Sequence, residues 1–182
     1  MRTIGVAVGL PEPYATFIQD ARRAAGDPEA DRIRTHITLL PPTPVVETAA
    51  DKIADHLAAV AARHCCFDLE VGEVGTFRPV SPVQFLRVLE GAGQCRQLEA
   101  DVRSGPLARD LTFPYHPHVT LAQQVSHDAL DGIGRALADY RLRFTVESFQ
   151  LYHQDDDGGW RPVQVFPLTG GAEATAAAGC AG

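Results

Sequence analysis

The 182-residue chain carries a net charge of −7, with 45% apolar and 21% charged residues, the balance of an ordinary folded domain long enough to bury a sizeable core. The acidic balance excludes wrapping of long nucleic acid on a broad basic face, which needs many phosphate contacts, but leaves room for a short nucleotide end. Cys65 and Cys66 are adjacent, Cys95 and Cys180 stand alone, and no C-x-x-C pair occurs, which argues against a zinc knuckle or a disulfide framework.

The apolar run Ile4 to Leu10, closed by Pro11, is too short for a signal peptide or a membrane span, so a cytoplasmic protein with no membrane partner is expected. Residues Thr3 to Val8 are β-branched or small and read as a strand. After Pro11-Glu12-Pro13 the spacing of Tyr14, Phe17, Ile18 and Ala21 predicts a helix buried on that face, stopped by Gly26. Arg32 to Leu40 reads as a strand with Ile33, Ile37 and Leu39 on an apolar back and Arg34, His36 and Thr38 on a polar front. Pro41, Pro42 and Pro44 are expected to end it, because proline cannot donate to the ladder. A helix over about 47–63 carries Ile53, Leu57 and Val60 on one stripe, and Cys66 to Phe77 alternates as a strand. The stretch 78–82, with Pro79 and Pro82, is the expected boundary between two halves.

The second half repeats the plan. Val83 to Leu89 reads as a strand, Cys95 to Arg103 as a helix with Cys95, Leu98 and Val102 inward, and Pro117 to Ala122 as a strand. Ser126 caps a helix striped by Leu130, Ile133, Leu137 and Tyr140. Leu142 to Tyr152 alternates as one strand and Trp160 to Leu168 as another, with Asp155 to Asp157 as a solvated turn between them. The expected organisation is one bilobal domain over 1–168, built of two repeats at about 1–77 and 83–168, and a disordered tail over 169–182.

Two short segments stand out against this plan. His36-Ile37-Thr38-Leu39 returns as His118-Val119-Thr120-Leu121, 82 residues later. In a strand, residues i and i+2 share a face, so each segment presents an imidazole beside a hydroxyl. A lone His-x-Thr in an apolar strand is common; a pair on matching strands of matching units is not readily coincidental. Brought together across a cleft, one histidine could take a proton from a nucleophile while the other gives a proton to a leaving oxygen. The hydroxyls of Thr38 and Thr120 could hold the non-bridging oxygens of a phosphate. Such chemistry needs neither metal nor cofactor.

With THITLLPP at 35–42, PHVTLA at 117–122 and VGTFRP before the second half, the chain resembles the 2H phosphoesterase superfamily, and within it the bacterial 2′-5′ RNA ligase and RNA 2′,3′-cyclic phosphodiesterase group. The resemblance implies an α+β fold of two pseudo-symmetric lobes, each a mainly antiparallel sheet with helices on its outer face, around a central cleft. It implies a metal-independent phosphoesterase that opens a 2′,3′-cyclic phosphate on a nucleotide or short RNA end to a 2′-phosphate, with reversible 2′-5′ ligation as a secondary activity. Its catalytic residues would be His36, His118, Thr38 and Thr120. By the same analogy His118 would activate water and His36 would protonate the leaving 3′ oxygen, an order that a pseudo-symmetric site leaves open. Where many members carry a basic residue after the second motif, this chain has Gln123-Gln124.

Supporting contacts are expected from Arg34 to phosphate, from Phe113 and Tyr115 to a base, and from His116 beside the catalytic pair. Phe77, Tyr152 and Trp160 read equally as core or as stacking surfaces. His56, His64, His127 and His153 read as surface or helix-end residues. A monomer is expected. Two other readings remain: a non-catalytic nucleotide- or RNA-end-binding module on the same fold, and a metallohydrolase built on His36, His116 and His118.

Overall fold

A computed structural model describes residues 1–170; the expected disordered tail lies outside the described residues from 171 onward. Eight strands and four helices follow in the order β1 (Arg2–Gly9), α1 (Tyr14–Ala24), β2 (His36–Val45), α2 (Ala50–Arg63), β3 (Phe67–Thr76), β4 (Val83–Glu90), α3 (Ala92–Val102), β5 (His118–Gln123), α4 (His127–Ala136), β6 (Leu142–Val146), β7 (Ser148–Gln154) and β8 (Trp160–Pro167). They form two antiparallel four-stranded sheets, ordered β2-β1-β7-β8 and β5-β4-β3-β6. The α+β architecture of two lobes is thus present. No helix among the described residues is long and apolar enough to cross a membrane.

The sheets do not coincide with residues 1–77 and 83–168. β3 crosses into the second sheet, where it pairs with both β4 and β6, while β7 and β8 return to the first sheet beside β1. The stretch 78–82 is accordingly the turn of the β3–β4 hairpin, within one sheet, with Thr76 opposite Gln84. The expected single strand over Leu142 to Tyr152 is two strands broken at Glu147. Leu142 and Val146 are buried before the break, Phe149 and Leu151 after it, so the inward positions change from even to odd. A strand cannot change phase without turning over, and here the chain passes from one sheet to the other.

β2 runs through Pro41, Pro42 and Pro44 to Val45 rather than ending before them. It lies at the edge of its sheet, where an N–H turned away from β1 has no ladder bond to lose, and the register against β1 slips between Ile4 and Val6, opposite Pro41 and Pro42. The strand starts only at His36; residues 32–35 belong to the loop before it. In α1 the buried residues are Ala15, Ile18, Gln19 and Arg22, while Phe17 is 48% exposed and stacks on Tyr140 with ring centroids 4.7 Å apart. The apolar stripe expected on this helix is therefore rotated, because the face it buries is partly polar.

The other helices bury stripes their sequences predict: Ile53, Leu57 and Val60 in α2, Cys95, Leu98 and Val102 in α3, and Leu130 and Ile133 in α4, whose N-cap Ser126 accepts from the Ala129 amide at 3.2 Å; α4 ends at Ala136, so Leu137 is its buried C-cap and Tyr140 lies beyond it, half-buried. His64, expected as a surface or helix-end residue, is the C-cap of α2, and its largely enclosed ring bonds Asp101 at 2.8 Å.

The lobes interlock. The edge strands β2 and β5 adjoin, α3 packs against β2, and α1 packs against β5, so each lobe's first helix supports the other lobe's motif strand. Phe149, fully buried and stacked on Phe166 at 5.3 Å, anchors β7 in the first sheet. Phe149→Ala is expected to lower unfolding stability by about 3–5 kcal/mol, measured by urea denaturation, since the interlocked lobes cannot collapse around the cavity.

Candidate active site

The two motifs occupy matching places, on the edge strand of each sheet next to β1 and β4. In β2, His36 and Thr38 are half-buried while Ile37 and Leu39 are 0% and 1% exposed; in β5, His118 and Thr120 are half-buried while Val119 and Leu121 are at 0%. The aliphatic residues lock the strand face, which turns imidazole and hydroxyl toward the gap between the sheets. His36, Thr38, His118 and Thr120 all line one open cleft of about 500 Å³.

Both histidines are held the same way. Nδ1 of His36 donates to the Arg34 carbonyl at 2.8 Å, and Nδ1 of His118 donates to the His116 carbonyl at 2.7 Å. A carbonyl only accepts, so each neutral ring carries its proton on Nδ1 and leaves Nε2 bare. The Thr38 hydroxyl lies 3.1 Å from Nε2 of His36 and can donate to it. Burial pushes the His36 imidazole down to about 4, with the nearby Arg22 and His118 acting in the same direction. Burial also lowers His118, against the hydrogen bond to His116 that favours its charged form.

Beneath His36 lies a polar network that the sequence pattern did not reveal. Arg22, 2% exposed, donates from Nε to Asp27 at 3.0 Å and from Nη1 to the Ile33 carbonyl at 3.4 Å. Gln19 accepts from the amide and hydroxyl of Thr35 at 2.9 and 2.8 Å. Together these ties hold residues 27–35, and hence the Arg34 carbonyl that orients His36. Arg22 and Arg32 line the cleft with Glu29, Tyr152 and Trp160. The Trp160 indole lies over Gly5, where a Cβ would come within 3.1 Å of the ring. The cleft's guanidinium groups therefore come from α1 and the following loop, whereas the stretch after the second motif contributes Gln123 and Gln124. Arg22 and Gln19 escape a search for apolar periodicity because their buried face is itself polar; the signal that could have found Trp160 is the lone indole after the turn at 155–159.

On the His118 side the wall is apolar. A second cavity of about 570 Å³ shares Thr38, His118, Thr120 and Gln123 with the cleft and is lined by Phe77, Leu111, Phe113 and Tyr115. Phe113 is 64% exposed there. The Tyr115 hydroxyl donates to the Thr38 carbonyl at 2.9 Å, so this ring ties the loop to β2. His116 lies parallel to His118 with centroids 6.1 Å apart and meets Phe77 edge-on at 5.6 Å. Arg34 does not join the cleft: its guanidinium bonds Glu12 at 2.5 Å and borders a separate shallow groove. Among the described residues no three His, Cys, Asp or Glu side chains converge in metal-ligating geometry, the trio His36, His116 and His118 included.

The chain was compared with known proteins. The model of a family described as the 2′-5′ RNA ligase superfamily matches residues 10–158. A relative from Oceanobacillus iheyensis, named "Putative phosphoesterase", is 31% identical over 166 residues, covering 90% of this chain and 96% of the relative. Among solved structures, E. coli LigT complexed with 3′-AMP superposes with a TM-score of 0.65 at 22% identity, and LigT complexed with ATP with a TM-score of 0.63 at 25% identity; each covers 92% of this chain and 98% of LigT.

The low His36 value ties stability to pH. The folded state binds a proton on this ring only near pH 4, whereas the unfolded ring binds one near 6.5, so acid favours unfolding across that window. Stability is expected to fall as pH drops from about 6.5 to about 4, and His36→Gln is expected to flatten that part of the curve, both read from urea midpoints against pH.

Proposed function

The chain belongs to the 2′-5′ RNA ligase superfamily, and from that premise we propose that it hydrolyses a 2′,3′-cyclic phosphate on a nucleotide or short RNA end to a 2′-phosphate, with His36 and His118 as the acid–base pair. One observation carries the reading: two histidines on equivalent edge strands line one cleft, each held by a backbone carbonyl in the tautomer that leaves Nε2 free. One Nε2 takes a proton from water as it attacks phosphorus; the other, protonated, delivers its proton to the leaving 3′ oxygen. The hydroxyls of Thr38 and Thr120 hold the non-bridging oxygens, stabilising the charge that shifts onto them. With a 5′-hydroxyl attacking phosphorus in place of water, the same groups form a 2′-5′ phosphodiester as the bond to the 3′ oxygen breaks and that oxygen takes the proton, and the reverse of this step cleaves the 2′-5′ linkage.

The apolar wall beside His118 suits a base, with the exposed Phe113 ring as its platform and Tyr115 and His116 shaping the wall. LigT, with its 3′-AMP and ATP complexes, supports a nucleotide as the ligand, and the relative's name supports phosphoester chemistry.

The test is turnover of adenosine 2′,3′-cyclic phosphate and of RNA ending in a 2′,3′-cyclic phosphate, in the presence of EDTA. Hydrolysis is expected to persist in EDTA, and His36→Ala or His118→Ala to lower kcat/KM by about a hundred- to ten-thousand-fold with an unchanged circular dichroism spectrum. Near-wild-type rates in both variants, or tight binding with no turnover in the wild type, would sink the proposal. Dependence of kcat/KM on pH is expected to be bell-shaped, since one ring must be neutral and the other charged.

A further inference from the structure

The apolar cavity beside His118 has one carboxylate in its wall. Among the described residues that line it, Glu99 of α3 is the sole acidic side chain, and no lysine or arginine joins it. The Glu99 side chain is 4% exposed, and an enclosed carboxylate is costly unless donors meet its oxygens. Its place has a counterpart in the first lobe. The buried residues of α1 are Ala15, Ile18, Gln19 and Arg22; those of α3 are Cys95, Leu98, Glu99 and Val102, each 80 positions later, so Glu99 stands where the first lobe has Gln19. Gln19 uses its polar atoms on the loop before its motif strand: Oε1 accepts from the Thr35 amide and hydroxyl, and Nε2 donates to the Ile33 carbonyl at 3.3 Å.

Glu99 makes no such bond to the loop before β5. Among the described residues its side chain meets only Arg103, whose Nε donates to Oε1 at 2.5 Å and whose Nη2 stands 3.5 Å from Oε2. Arg103 does not line the cavity, and its Nη1 is turned to the Arg109 carbonyl at 2.9 Å. A carboxylate accepts about four hydrogen bonds, so acceptor capacity remains, most of it on Oε2, whose one contact lies at the outer limit of a hydrogen bond. The pair is neutral as a whole; what it offers the cavity is acceptor oxygens rather than net charge.

We infer that Glu99 reads the base of the substrate and selects guanine. The inference rests on the proposed function above, in which the base lies in this cavity and the cyclic phosphate between the histidines; Thr38, His118 and Thr120 line both spaces, so one nucleotide reaches from the one into the other. Guanine presents N1–H and the 2-amino N–H side by side, two donors matched to the two oxygens of one carboxylate. The other bases lack that edge. Uracil sets its single N–H between two carbonyl oxygens, and adenine and cytosine set an amino group beside a bare ring nitrogen, so in each a lone pair faces one carboxylate oxygen. Between apolar walls water competes weakly for these bonds, which widens the difference among bases. Phe113 is a platform for any base, and Glu99 tells the bases apart.

The test is kcat/KM of the full-length chain on guanosine, inosine, adenosine and uridine 2′,3′-cyclic phosphates. Guanosine is expected to lead inosine, which differs from it only in lacking the 2-amino group, by about ten- to a hundredfold. The difference is expected in KM, since the base is bound alike in the ground and transition states. Glu99→Gln keeps an acceptor for Arg103 and sets an N–H donor in place of Oε2. It is expected to bring the ratio of guanosine to inosine to about one, whereas a Glu99 that only held Arg103 would lower both nucleotides by the same factor and leave their ratio in place. Equal kcat/KM for guanosine and inosine in the wild type, or a guanosine lead that survives Glu99→Gln, overturns the inference and leaves the proposed hydrolysis standing. The wild-type comparison decides this even if the variant does not fold. With no turnover of any of the four, calorimetry on guanosine 2′-phosphate and inosine 2′-phosphate decides: guanosine bound about tenfold tighter supports the role of Glu99 and counts against the activity, and equal affinity overturns both.

Discussion

Burial of Ile37 and Leu39 in one sheet and of Val119 and Leu121 in the other fixes the direction of every group in the cleft. Each is at most 1% exposed, and an aliphatic side chain of this size contributes about 1.5–3 kcal/mol when fully buried. Side chains alternate along a strand, so a slip of one residue would expose two such groups and bury a histidine and a threonine without partners. The register is therefore held by the core, and the polar faces of β2 and β5 follow from it. Neither histidine needs a special partner to face the gap. The backbone carbonyl two residues upstream then selects its tautomer.

Strand exchange explains how two small lobes support one cleft. With β3 placed in the second sheet and β7 and β8 in the first, and with α1 and α3 braced against the opposite motif strands, neither lobe closes without chain from the other. The motif strands can then lie at sheet edges, where they adjoin, without becoming loose edges open to pairing with another chain. The walls around them are free to differ. One is polar, with Arg22, Arg32 and Trp160; the other is apolar, with Phe77, Phe113 and Tyr115. A substrate with chemically distinct ends would enter such a cleft in one orientation.

Much of this was legible in residue order. The period-two pattern of both motifs, their equivalent places, and the stripes of Ile53, Leu57 and Val60 and of Cys95, Leu98 and Val102 were written in local spacing. So was the break at Glu147, where Val146 and Phe149 leave the alternating phase, although the run around it reads as one strand. Local spacing was misleading wherever an element's surroundings decided the outcome. Prolines end a strand with neighbours on both sides and are tolerated in β2 because it is an edge. Phe17 reads as core and is exposed, because α1 buries Gln19 and Arg22 instead. Arg34 reads as part of the polar front and lies outside the cleft, because the strand begins only at His36.

By itself the amino-acid sequence determined which faces of the strands and of most helices are apolar, and that two His-x-Thr faces exist, because periodicity reports the two sides of an element from that element alone. Tertiary structure alone decided that these faces share one cleft, which strands belong to which sheet, and that the buried Arg22 reaches the wall of that cleft. Strand pairing and the sharing of one cleft depend on groups far apart in the chain, such as β1 with β7 and β3 with β6, which meet only when the lobes interlock.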